Sequence, residues 1–489
     1  LGIRPPVVAG KLVFVTCEPG WKADWPLLVC LDADTGKELG RRELNHLPVS
    51  RLSADQRFEA AKAWHEFLDG WARGYRAMAL WRGGDDAAKA EANKQLASAG
   101  FRPRGGKPGD PYKGQEINID EARWKPVIEK FKAAGMMGET FREGGALGTS
   151  CLGHAFATPI SDGERVWAVT AFGGVFCFDK KGELKWAQHV PGQAGEYCRN
   201  GRSPLLWKNL LITDITALCR AFDKDTGELK WSAPVGGQAI ITPAIITVGG
   251  TDVLLCDGVG MKQASPGRAK AFRLPDGQEL TVDGWSDLGA TALVKLDERD
   301  VVFVSEGGDH APWSGFRGEG HKNSPAAARF RLEGDKLIGT ALWNGVDDQA
   351  ITTYEGMVYH AGKLYVGNVI LEALTGKLIA GAPGKGKLRV VPNTRHMLVV
   401  AGDKIYGLRE QEDKAAKTKY GQLEVHSVDG AKRGQGVLWP AEPTGEKAQQ
   451  VAQTAGQSNW GYSYSCPFTV SGNRIYARSN DELICIGEK

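Results

Sequence analysis

Asp223-Lys-Asp-Thr-Gly-Glu-Leu-Lys-Trp231 is the fullest copy of a phrase that returns along this chain. Near-copies stand at Asp32-Ala-Asp-Thr-Gly36, Asp179-Lys-Lys-Gly-Glu-Leu-Lys-Trp186 and Glu372-Ala-Leu-Thr-Gly376. An internal period of this kind decides the architecture before any other argument. Around the best copy, Ser203-Pro204 opens a strand, where the missing proline N–H is tolerated. Lys208-Asn209 is a turn, and Leu210 to Thr213 is a second strand. Leu218 to Phe222 is a third strand, and Leu229 to Trp231 leads a fourth. In the Asp-x-x-Thr-Gly turn the aspartate bonds backbone N–H groups and the glycine takes a positive φ. Four antiparallel strands in this order form one propeller blade.

The same order starts at Pro6, Thr158-Pro159, Thr242-Pro243 and Cys466-Pro467, with weaker copies at Val301, Met357 and Met397. These make eight copies. The expected fold is all-β: an eight-bladed β-propeller of four-stranded antiparallel blades, with seven blades as the alternative. The last copy stops after a third strand, Leu483 to Ile486. Either that blade is three-stranded, or residues upstream of Leu1 supply its closing strand. Cys30, Cys177 and Cys485 share one repeat position, expected to be a small buried core site because free cysteine behaves as a small hydrophobe.

Residues 45–145 carry no copy of the phrase. Setting them aside leaves about 48 residues per blade, an ordinary propeller length. Ser53-Ala-Asp-Gln56 reads as a capping box. From Gln56 to Trp81, Phe58, Trp64, Phe67, Trp71, Tyr75 and Met78 recur at helical spacing. Ala87 to Ala99 and Glu121 to Ala134 are two further helices, each ended by glycine. The expected organisation is therefore a first blade over 1–44, an inserted helical subdomain over 45–145 and the remaining blades over 146–489. The aromatic stripe of the first helix is expected in a core. A docking surface is the alternative, because Trp, Tyr and Arg are common interface anchors. A third possibility is that the helices cap one mouth of the channel.

The 489 residues carry 61 Lys+Arg and 58 Asp+Glu, a net charge of +3. That balance argues against a nucleic-acid groove, which needs concentrated basic surface. No apolar run reaches membrane-spanning length. The chain begins at Leu1 with no signal peptide, from which a removed leader or a longer N-terminus is expected. Nine cysteines leave at least one unpaired within the chain, and no CxxC spacing marks a zinc ribbon. Cys151 and Cys198 lie before proline steps of adjacent blades, where a disulfide across the mouth is a hypothesis. No GxSxG elbow, Walker loop or HExxH helix is present.

Ser203-Pro204, Ala221-Phe222-Asp223, Thr226-Gly227 and Trp231 resemble the repeat of the pyrroloquinoline-quinone-like β-propellers, the superfamily of the quinoprotein alcohol dehydrogenases. The resemblance covers about four-fifths of the chain, all but the insertion, as expected for a repeat array. It implies a periplasmic or exported bacterial protein. It implies either a non-catalytic propeller binding a protein partner or small ligand, or an oxidoreductase using PQQ with calcium. Many dehydrogenases of the superfamily carry a vicinal cysteine pair over the cofactor, and this sequence has none. The leading expectation is the binding propeller, with no cofactor and no catalytic residue assigned.

In this superfamily the residues before each Ser/Thr-Pro step look toward one channel mouth. Read across the copies, they give His154, Phe156, Arg199, Asn200, Gln238, His321, Asn323, Tyr354, Asn393, Tyr462 and Tyr464 as candidate ligand-binding residues. A second cluster runs from Glu306 through Asp309, His310 and Trp313 to His321. Its spacing imposes no convergent metal set. Glu306 or Asp309 would serve as a general base by location alone.

Overall fold

The computed structural model describes residues 5–17, 25–103, 105–114, 117–134, 157–170, 173–190, 203–215, 218–235, 243–256, 270–283, 292–295, 301–305, 326–344, 357–366, 368–381, 390, 398–413, 418–438, 442–443, 468–478 and 483–487. The phrase that opened the sequence folds as read. Strands Leu205–Trp207, Leu210–Ile215, Leu218–Asp223 and Leu229–Pro234 pair in sequence order, all antiparallel. Lys208 takes φ 52° in the first turn. In the last turn, Asp223 Oδ1 accepts from Asp225 N at 3.1 Å, Thr226 N at 2.9 Å and Thr226 Oγ1 at 3.0 Å. These bonds replace the strand ladder where the chain reverses and hold the Asp223 carboxyl below its usual range.

Seven such four-stranded blades form among the described residues, and an eighth, incomplete one follows them. The eighth copy is a three-stranded sheet, Phe468–Ser471, Arg474–Arg478 and Leu483–Gly487. The innermost strand of the first blade, Val7–Ala9, touches both Ile160–Ser161 of the second blade and Phe468–Ser471, so the ring closes. The closure is made by side chains. Thr469 Oγ1 donates to Pro6 O at 2.6 Å, Tyr476 Oη to Ala33 O at 3.2 Å, and Arg474 pairs with Asp34. Val13, Ala33 and Tyr476 form the apolar seam between them.

Elsewhere blades meet through a tryptophan. Trp186 of the second blade lies on Gly227 of the third, and Trp343 of the fifth on Gly376 of the sixth. A Cβ added to either glycine would stand 2.6 Å from the indole. The indole N–H groups donate to Lys224 O at 3.0 Å and Ala373 O at 2.9 Å. The blade phrase thus couples turn and core: its Gly supplies the φ and the room that the neighbouring Trp fills. The fourth and fifth blades are joined further. The outer strand Glu279–Asp283 pairs in parallel with Lys336–Asn344, making one eight-stranded sheet.

Between the first and second blades stand three helices, α1 (Ala54–Gly83), α2 (Asp86–Ser98) and α3 (Glu121–Ala133). The capping box is complete: Gln56 N donates to Ser53 Oγ at 3.2 Å and Ser53 N to Gln56 Oε1 at 2.9 Å. Trp64 and Phe67 pack against Trp124 and Phe131 of α3 in a core of their own. Phe58 departs from the expected stripe: it lies in the first turns of α1 and is 68% exposed. None of the helices among the described residues is long and apolar enough to cross a membrane.

The shared cysteine position divides. Cys177 is buried, and burial pushes its thiol up to about 12. Cys30 is half-buried and Cys485 is exposed. Cys485 departs from the expectation because its strand is the third of a three-stranded sheet, with no fourth strand among the described residues to cover it.

Candidate functional site

Each blade has two ends. At one lie the Asp-x-x-Thr-Gly turns. At the other lie the starts of the innermost strands and the ends of the second strands, which is the mouth singled out by the sequence. Its framework is stitched between blades. Thr16 Oγ1 donates to Ala157 O at 3.0 Å, linking the first blade to the lead-in of the second. Thr158 N donates to Ser203 Oγ at 3.1 Å, linking that lead-in to the next. Arg478 Nη1 donates to Thr16 O at 2.7 Å across the seam. The Ser/Thr-Pro steps therefore hold neighbouring blades in register, beyond merely starting strands. Thr170, whose Oγ1 accepts from Gly174 N at 3.1 Å, closes a hairpin at the same end.

The candidate ligand residues His154, Arg199, Asn200, Gln238, His321, Asn323, Tyr354, Asn393 and Tyr462 lie outside the described residues, as do Phe156 and Tyr464. The cluster from Glu306 to His321 and the pair Cys151 and Cys198 also lie outside them. What is described is the frame from which those segments start. Thr16, Thr170 and Arg478 in that frame are buried, and their described bonds run to other parts of the propeller.

The helical insertion joins this end. Trp25 precedes the third strand of the first blade and stacks on Trp64 of α1, with ring centroids 5.6 Å apart. His46, just beyond the fourth strand, stacks on His189 of the second blade at 4.3 Å. It also meets Trp25 edge-on at 5.3 Å. Burial and the neighbouring His189 lower the His46 pKa to about 3. Sequence reading missed this pair. Two histidines 143 positions apart carry no local signal.

Residues 121–307 match the model of a family described as outer membrane protein assembly factor BamB. No curated protein matches. Among solved structures, BamB from Moraxella catarrhalis is 13% identical, covers 67% of this chain and 81% of its own, and has a TM-score of 0.39. The quinohemoprotein alcohol dehydrogenase from Comamonas testosteroni is 11% identical over 97% of this chain and 69% of its own, with a TM-score of 0.43. That from Pseudomonas putida HK5 is 15% identical over 68% and 64%, with a TM-score of 0.41. The repeat phrase, the blades it builds and the matched span agree: over residues 121–307 the chain resembles the pyrroloquinoline-quinone-like repeat propellers.

Proposed function

We propose that this chain is a non-catalytic binding or scaffold propeller that engages a protein partner or small ligand at the channel mouth. The observation that carries the reading is the stitched mouth. Side chains of Thr16, Ser203 and Arg478 bond across blade boundaries, so the frame of this face is fixed from blade to blade. Loops on a rigid scaffold are where binding residues concentrate. The matched family's description as an assembly factor supports a protein partner. A periplasmic or exported location belongs to the same reading.

The test is capture of partners by the full chain from a periplasmic extract, compared with a variant carrying His154→Ala, Arg199→Ala and Tyr462→Ala. A stoichiometric partner captured by the first and lost by the second supports the reading. The competing outcome is dye-linked alcohol oxidation after reconstitution with PQQ and calcium. Turnover there, with no partner captured, would replace a binding propeller with a dehydrogenase.

A further inference from the structure

We draw no further inference here: the strongest candidate, the buried Glu424–His426 pair on the third strand of the seventh blade, carries nothing, because its one partnerless imidazole nitrogen joins no convergent metal-ligating set among the described residues and nothing in the structure shows what ligand would reach it.

Discussion

Gly227→Ala separates two costs that the blade phrase combines. Gly227 has φ +75°, and an added Cβ would stand 2.6 Å from the Trp186 ring. Gly36 occupies the same turn of the first blade at φ +69°, yet a Cβ there meets nothing within 4 Å. Backbone strain is common to both positions and costs about 1–2 kcal/mol for an L-residue in the left-handed region. At Gly227 the indole must also move, and overpacking adds about 1–3 kcal/mol. The indole is not free to slide, because its N–H is held by Lys224 O at 3.0 Å. Gly36→Ala should therefore lose about 1–2 kcal/mol and Gly227→Ala about 2–5 kcal/mol. Urea unfolding followed by tryptophan fluorescence measures both, with the slope compared to check that the unfolded reference is unchanged. Equal losses in the two variants would refute the argument, since the tryptophan contact would then contribute nothing.

Acid should weaken the junction of insertion and propeller. With the His46 pKa lowered to about 3, the unfolded chain binds its proton first as pH falls, so this contribution is complete above about 6.5 and is lost down to about 3. At pH 5, about 1.5 units below the ordinary value, the loss is about 2 kcal/mol. Thermal midpoints from pH 7 to 5 should fall less in His46→Phe than in wild type. Tyr476→Phe removes the bond to Ala33 O and should cost about 1 kcal/mol, read as a lower urea midpoint. Ser53→Ala breaks the capping box and should cost about 1 kcal/mol, with earlier hydrogen exchange in the first turn of α1. Mass-resolved alkylation at neutral pH should label Cys485 readily and leave Cys177 unlabelled until the chain unfolds.

The blade was legible because its information is local. A proline start, a turn aspartate and a turn glycine each act within a few residues, so Leu210 to Trp231 could be read strand by strand. Capping made α1 legible in the same way, through Ser53 and Gln56. Phe58 misled because helical spacing marks a face without saying how far along the helix that face is covered. Cys485 misled because the repeat assigns a position, whereas burial depends on a fourth strand. The seam and the His46–His189 pair were not legible at all. Arg478 meets Thr16 across 462 positions, and no pattern in either segment names the other. The candidate ligand residues were chosen from their place before the proline steps, and their test is the binding experiment.

The seam also sets a timetable. Its bonds join residues 440 to 463 positions apart, nearly the whole chain. At about 5–20 residues per second of synthesis, the first blade emerges roughly 20–90 s before its last neighbour. Through that interval Val13 and Ala33 wait without Tyr476 to cover them. Mutations that weaken the seam should therefore show first as lost yield during biogenesis, in molecules caught with an open ring, and only later as a change in the finished protein.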